Sequence, residues 1–121
     1  MKRALTPMLH VPDVGATIAW YVGIGFDVVN TGEDDGELVW AMLGFGAGRV
    51  MLSIGGHASD APRRDADLYL EVDGVDAYFA RVGGQVVVVE PPHDTFYGMR
   101  EFIVRDNNGF WLTFGEPVAT P

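Results

Sequence analysis

The side chains best suited to chemistry lie on segments in which polar and apolar residues alternate. Between positions 67 and 72 the apolar residues fall on one face of a predicted strand, and the other face carries Asp67, Tyr69 and Glu71. The same alternation between positions 5 and 11 places Leu9 and Val11 on the apolar face, and Met8 and His10 on the opposite face. Aromatic rings beside carboxylates suit a cationic or aromatic ligand, and imidazole and carboxylate groups also suit proton transfer.

Two helical segments follow these strands and have the period needed to cover their apolar faces. Asp13 is suited to N-cap the first helix, and Asp73 to N-cap a second that ends at Gly83-Gly84. Each helix follows one strand and precedes three, and residues 90–94 are predicted as a loop between two of those strands. The chain is therefore predicted to be α+β, with repeat modules at 1–55 and 66–117 joined by a polar linker at 56–65.

Composition restricts the classes of protein to consider. The 121 residues carry a formal net charge of −9 and include no cysteine, which excludes disulfides and thiolate metal sites. An acidic chain is a poor nucleic-acid binder. No apolar run approaches the roughly 20 residues that span a bilayer, and we see no secretory signal. We expect a single cytoplasmic domain without nucleic-acid or membrane partners, whose negative field is compatible with a cationic ligand.

The stretch from Gly98 to Pro117 carries a family resemblance. It reads G-M-R-E-F-I-V-R-D-N-N-G-F-W-L-T-F-G-E-P, which predicts a hairpin with its turn at 106–109. A strand of the type E-F-x-V-R-D, a turn close to D-P-N-G and then aromatic-x-L-x-F resembles the end of a vicinal-oxygen-chelate protein. That superfamily includes glyoxalase I, extradiol dioxygenases, and fosfomycin- and bleomycin-resistance proteins. Asn107 replaces the usual proline, and the sequence is most similar to the bleomycin-resistance branch.

The resemblance spans essentially the whole chain and implies a fold and a site. It implies two βαβββ modules forming a curved mixed sheet, with helices on the convex face and a cavity on the concave face. It turns Glu101, Ile103, Trp111 and Thr113 toward that cavity. The predicted ligand-binding residues are His10, Trp40, Tyr69, Glu71, Glu101 and Trp111. Because a buried carboxylate is costly without a partner, we expect Glu101 to pair with an arginine or His10, or to be reached by water or ligand.

Active members of the superfamily use a divalent metal bound by His, Glu or Gln on the first, fourth, fifth and eighth strands. The equivalent positions here are Thr6, Leu52 or Ser53, Asp67 and Thr113. Only Asp67 is a good ligand, and such a site needs three or four imidazole or carboxylate ligands. We therefore expect no metal and no other cofactor.

These expectations favour a homodimeric, metal-free protein that binds an aromatic or cationic compound such as an antibiotic, with resistance by sequestration. Loss of the metal would remove the Lewis acid of glyoxalase and dioxygenase chemistry. The alternative is a metal-dependent lyase, isomerase or dioxygenase with a displaced metal site, in which His10 or Glu101 acts in catalysis. A ligand sensor without chemistry is a third hypothesis.

Overall fold

The computed structural model describes residues 1–118. The chain forms two compact units, one from Met1 to Ala58 and one from Ser59 onward, and each has its own sheet and helix. The boundary falls inside the predicted linker of residues 56–65. Neither helix of the described chain has the length and apolar character needed to cross a membrane.

The first unit is a four-stranded sheet with a helix on one face. Its elements are β1 (Met8–Val11), α1 (Val14–Gly23), β2 (Asp27–Asp34), β3 (Glu37–Phe45) and β4 (Gly48–Ile54). The strand order is β1-β4-β3-β2, with β1 parallel to β4 and the other neighbours antiparallel. Asp35 and Gly36 both have positive φ, as a two-residue hairpin turn between β2 and β3 requires.

Helix α1 begins where the sequence predicts it. Asp13 is its N-cap: the side-chain Oδ1 accepts the amide of Ala16 at 2.9 Å, and the carbonyl oxygen accepts the hydroxyl of Thr17 at 2.8 Å. The helix packs on β3 and β4. The buried apolar side chains of the sheet beneath it are Leu9, Val11, Ala41, Leu43, Val50 and Leu52. Side chains of opposite parity therefore lie on the face that α1 leaves uncovered.

The second unit repeats this arrangement. Its elements are β5 (Asp67–Glu71), α2 (Val75–Val82), a 3-10 turn (Gly83–Gln85), β6 (Val87–Asp94), β7 (Met99–Arg105) and β8 (Trp111–Pro117). The strand order is β5-β8-β7-β6, with β5 parallel to β8. Both units thus share the order strand, helix and three strands, which confirms the predicted α+β fold of two βαβββ modules. The concave cavity stays a prediction.

An aromatic cluster holds α2 on its sheet. Phe102 and Phe114 stack with centroids 4.7 Å apart, and Tyr78 of the helix stacks on Phe114 at 5.1 Å. Phe79 meets Phe102 edge-on at 5.1 Å. Because these rings fix the helix-covered face, the side chains of opposite parity on β5, β7 and β8 lie on the uncovered face.

Helix α2 is capped from β8 and not by Asp73. The N-cap position is Gly74, which has a left-handed conformation (φ 81) and makes no side-chain cap. The carboxylate of Glu116 instead accepts the amides of Gly74, at 3.0 Å, and of Val75. The predicted Asp73 cap is therefore wrong, because a carboxylate from another strand satisfies the first turn of the helix.

Strand β6 runs further than the sequence predicts. Residues 90–94, predicted as a loop, belong to β6 even though two of them are prolines. The strand is the last in its sheet, and its register with β7 shifts on both sides of Glu90. A proline lacks an N–H, which a terminal strand with register shifts tolerates. As a result His93 lies opposite Glu101.

Candidate functional site

The uncovered face of the second sheet brings together three of the predicted site residues. Strand register places its side chains in rows that cross the strands, with registered neighbours on one face about 5 Å apart. One row contains Tyr69, Thr113, Ile103 and Glu90. The next row contains Glu71, Gly115, Glu101 and His93. Tyr69, Glu71 and Glu101 therefore share one surface, as the alternation of residues and the family resemblance predict.

Glu101 is the centre of this surface. The residue is only 3% exposed, and its two carboxylate oxygens accept hydroxyls from two tyrosines. Tyr69 donates to Oε2 at 2.7 Å, and Tyr97 donates to Oε1 at 2.6 Å. The side chains that pair with Glu101 are thus two phenols, where the sequence predicts an arginine or His10, and access of water or ligand to this carboxylate stays a prediction. An ionised carboxylate has about four acceptor positions, so two remain for further donors.

A glycine makes the Tyr69 contact geometrically possible. Strand β8 lies between β5, which carries Tyr69, and β7, which carries Glu101. The tyrosine crosses β8 directly above Gly115, where a Cβ would lie 2.1 Å from the Tyr69 hydroxyl oxygen and 2.8 Å from its Cζ. Any other residue at position 115 would therefore occupy the space of the tyrosine.

The surroundings of Tyr69 and Tyr97 raise the pKa of both hydroxyls, so both phenols keep their protons. Burial of the hydroxyl, followed by its hydrogen bond to Glu101, raises the pKa of Tyr69 well above its ordinary value, and Glu71 acts in the same direction. The hydrogen bond to Glu101 is the main cause that raises the pKa of Tyr97, and Glu90 adds to it. The tyrosines are hydrogen-bond donors at neutral pH, and both residues remain about half exposed, at 50% for Tyr69 and 55% for Tyr97.

His93 is tied to the same acidic surroundings. Its Nδ1 lies 2.8 Å from the carbonyl oxygen of Pro91, and its Nε2 lies 3.2 Å from Oε2 of Glu90. Both ring nitrogens thus face acceptor oxygens, an arrangement in which the imidazolium form donates twice. Glu90 and His93 thus add polar and charged groups to the edge of the face that carries Glu101.

Trp111 lies at the other end of this face, beneath the segment 59–63. Its Nε1 donates to the carbonyl oxygen of Pro62 at 3.1 Å, and the guanidinium of Arg63 lies 4.5 Å from its ring centroid. Arg63 also pairs with Asp67. Arg105 fixes the segment by donating to two of its carbonyl oxygens. The guanidinium of Arg63 therefore already occupies the ring face of Trp111 where a cationic ligand would bind.

The other two predicted residues, His10 and Trp40, lie on the uncovered face of the first sheet. Both are registered with Ser53, so they flank it in one row. His10 Nδ1 lies 3.3 Å from the carbonyl oxygen of Ile54. The ring of Trp40 passes over Gly32, where a Cβ would lie 3.5 Å from its Cε3. Trp40 is half-buried and His10 is exposed.

Two of the positions equivalent to the superfamily's metal ligands, Asp67 and Thr113, lie in the second unit. Asp67 is held by Arg63, and Thr113 is buried beside Tyr69. Within residues 1–118, no group of three or more histidine, aspartate or glutamate side chains is placed to hold a metal ion. Hydroxyl groups and one arginine-paired carboxylate do not match the ligand set of a divalent ion.

Sequence reasoning missed three residues of the site: Tyr97, His93 and Gly115. Tyr97 lies in the β6–β7 hairpin, which Thr95 closes by hydrogen bonds with Met99 at 2.8 and 3.1 Å. Its spacing of four residues from Glu101 gave no strand-parity signal because a turn intervenes. A glycine inside an aromatic strand was the one available signal for Gly115, since such glycines mark a close approach.

A cavity of about 410 Å³ lies in the first unit beside the start of α1. Its lining includes the carboxylates of Asp13, Glu33 and Glu37 and the apolar side chains of Leu38 and Ile54. None of these belongs to the predicted ligand-binding set.

The chain consists of two βαβββ modules, and the sheet faces that the helices leave uncovered carry carboxylates and aromatic rings. This fold and this kind of site are the two features to compare with known protein families. The sequence model of the Glyoxalase/Bleomycin resistance protein/Dioxygenase superfamily matches residues 4–114. The chain belongs to this superfamily, which confirms the resemblance of its C-terminal hairpin. No curated protein sequence matches the chain.

Solved structures with the same fold extend over nearly the whole chain. TioX from Micromonospora sp. ML1 is 25% identical, with a TM-score of 0.74, and the match covers 98% of this chain and 100% of TioX. A bleomycin-binding protein in complex with bleomycin is 17% identical, with a TM-score of 0.73, and coverage of 95% and 98%. The fosfomycin resistance protein FosX from Listeria monocytogenes is 15% identical, with a TM-score of 0.77, and coverage of 98% and 95%. At 17% and 15% identity, the last two show the fold.

Proposed function

We propose that this protein binds a small cationic or aromatic compound, such as an antibiotic, and sequesters it without chemical change. One observation carries the proposal: two half-exposed tyrosines donate their hydroxyls to one buried carboxylate, Glu101. A phenol that donates to a carboxylate gains electron density in its ring, which strengthens attraction of a cation to the ring face. Glu71 and Glu90 add negative charge to the same surface.

The family relationship supports small-molecule binding, because a bleomycin-binding protein has the same fold. The superfamily's divalent metal is not part of the proposal, since Asp67 is the one good ligand among the equivalent side chains. We propose a cytoplasmic homodimer, following the resemblance to the bleomycin-resistance branch. Sedimentation at several protein concentrations tests the dimer.

Titration with bleomycin, followed by calorimetry and tryptophan fluorescence, tests the binding function. Planar cationic compounds and a neutral aromatic compound of similar size serve as further ligands. We expect the cations to bind more tightly, and their affinity to fall as salt is added, because partly exposed charges are screened. Binding of the neutral compound alone, or of no compound, would overturn the proposal.

Two matched variants identify the site. Glu101→Gln preserves the shape of the side chain but removes its charge, and should weaken binding of a cation on the order of tenfold or more, which is about 1.4 kcal/mol. Glu33→Gln removes the same charge from the first unit and should change affinity little. Elemental analysis of protein purified without chelator is the control for the enzyme alternative. A stoichiometric content of Ni, Zn, Fe or Mn would favour the metal-dependent enzyme.

A further inference from the structure

Three of the five methionines lie in one row on the uncovered face of the first sheet. Met8 is registered with Met51, and Met51 with Met42, so the three side chains stand on neighbouring strands β1, β4 and β3. Registered neighbours are about 5 Å apart at Cβ. Three thioether side chains are thus adjacent in space although they are far apart in the sequence.

These methionines are not needed to fill the core. The buried apolar side chains of β1, β3 and β4 have the opposite parity and lie under α1. Met8 is 47% exposed, and Met42 and Met51 are half-buried. A thioether side chain is unbranched and has three rotatable bonds, so the outer two sulfur atoms can lean toward the central one.

A histidine stands next to this row, and one of its ring nitrogens is available for coordination. His10 lies two residues after Met8 on β1, on the same face. Its Nδ1 lies 3.3 Å from the carbonyl oxygen of Ile54. A carbonyl oxygen can only accept, so the hydrogen bond places the proton on Nδ1 and leaves the Nε2 lone pair free in the neutral ring. Metal-binding histidines are oriented by the same kind of hydrogen bond to a backbone carbonyl.

We propose that Met8, Met42 and Met51, together with His10, form a binding site for a soft monovalent metal ion, Cu(I). Thioether sulfur selects Cu(I) over harder ions, and imidazole is also a good ligand for copper. Neutral thioethers suit an ion of single charge, and the net charge of −9 attracts cations toward the protein. The site differs from the superfamily's divalent site in ligand type, and it does not depend on the proposed binding of an organic cation.

The first test follows the methionine methyl groups directly. Protein labelled with carbon-13 at these methyl groups is titrated with Cu(I) under anaerobic reducing conditions, and in parallel with Ag(I), which needs no reductant. We expect saturating shifts of the Met8, Met42 and Met51 signals at one equivalent, and no shift of Met99, which lies on β7 of the second unit. Shifts of all methionines alike, or of none, would overturn the site.

The second test measures affinity by competition with a chromogenic Cu(I) chelator. The double variant Met42→Leu/Met51→Leu keeps apolar side chains of similar volume and should lower the affinity about 100-fold or more, because two soft ligands are lost. Met99→Leu is the matched control and should bind as the unaltered protein does. His10→Gln should weaken binding to a smaller extent. Equal affinity in the double variant and the control would refute the proposal, as would preferential binding of Zn²⁺ over Cu(I).

Discussion

The hydroxyl of Tyr69 reaches Glu101 across an intervening strand, with a distance of 2.7 Å between Tyr69 Oη and Glu101 Oε2. The crossing passes over Gly115 of β8, whose backbone is not in the left-handed region. Position 115 therefore requires glycine for the space above it and not for its backbone conformation. The hydrogen bond between Tyr69 and Glu101 thus depends on the absence of a side chain at Gly115, on the strand between them.

Gly115→Ala should break this pairing without unfolding the protein. The new Cβ would lie 2.1 Å from the Tyr69 hydroxyl oxygen, and the half-exposed tyrosine can swing into solvent. We expect the affinity for a cationic ligand to fall on the order of tenfold, about 1.4 kcal/mol, as measured by calorimetry. Gly84→Ala is the control, because no atom lies within 4 Å of a Cβ at that position. An unchanged affinity in Gly115→Ala would show that the crossing has no part in binding.

The two tyrosines should make stability depend on pH in the alkaline range. The pKa of Tyr69 in the folded protein lies above its ordinary value of 10.0, because of burial and its bond to Glu101. The unfolded chain therefore loses this proton first as the pH rises. The stabilisation is complete below pH 10.0 and is lost as the pH rises toward the folded-state pKa.

Denaturant unfolding at a series of alkaline pH values tests this dependence. The free energy of unfolding should fall with rising pH more steeply in the unaltered protein than in Tyr69→Phe, because phenylalanine at position 69 has no hydroxyl proton to lose. In Glu101→Gln, a spectroscopic titration of phenolate formation should show the pKa of Tyr69 and of Tyr97 shifted down toward the ordinary range. Parallel stability curves for the unaltered protein and Tyr69→Phe, together with unchanged tyrosine pKa values in Glu101→Gln, would mean that the hydrogen bonds do not couple to folding.

The sequence alone predicted the fold because its signals were local and repeated. Asp13 predicted the start of α1, and the alternation of residues 67–72 predicted which side chains of β5 share a face. The turn at Asp106 was equally readable, since its Oδ1 accepts the amides of Asn108 and Phe110, each at 2.8 Å. Such contacts join residues close in the chain, so residue type and spacing are sufficient to identify them.

The contacts that sequence reasoning missed join residues far apart in the chain. Glu116 caps α2 from a distance of 41 residues, and nothing around Asp73 indicates that its own side chain is not used. Tyr69 and Glu101 are separated by 32 residues, so their hydrogen bond depends on the strand order β5-β8-β7. Alternation placed Tyr69 on this face and the family resemblance placed Glu101 there, but only the strand register shows that Gly115 lies between them and leaves room for the tyrosine.

Glu116→Gln should destabilise the protein at neutral pH and much less in acid. The amides of Val75 and Gly74 lower the pKa of Glu116 in the folded state below its ordinary value of 4.5. The unfolded chain therefore takes up this proton first as the pH falls. The stabilisation is present above pH 4.5 and is lost as the pH falls through the folded-state pKa.

Thermal unfolding of Glu116→Gln across this pH range provides the measurement. We expect the Tm to drop by about 3–8 °C at pH 7, and the difference from the unaltered protein to shrink below pH 4.5. Glu33→Gln removes the same charge without uncapping a helix and should leave the Tm nearly unchanged. A difference that stays constant through the acid range would contradict the role of Glu116 as an ionised cap.

Arg105→Ala should release the segment 59–63 from the sheet and expose Trp111. The guanidinium of Arg105 donates to the carbonyl oxygens of Ser59, at 2.9 Å, and Ala61, at 2.8 Å. Hydrogen bonds from charged groups at partly buried sites are strong, so we expect a loss of about 2 kcal/mol in the free energy of unfolding. The amides of residues 59–61 should exchange with deuterium faster, and tryptophan emission should shift to the red.

Two comparisons make this result specific to the segment. Arg49→Ala removes an arginine whose guanidinium donates to the carbonyl oxygens of Gly46 and Gly48, in the first unit, and should leave both exchange and emission unchanged. Combining Arg105→Ala with Trp111→Phe should abolish the red shift, because Trp111 is the tryptophan that donates to Pro62. If planar cations then bind Arg105→Ala more tightly than the unaltered protein, Arg63 and the ligand compete for the ring of Trp111. Equal affinity would place the bound cation at Glu101 and away from Trp111.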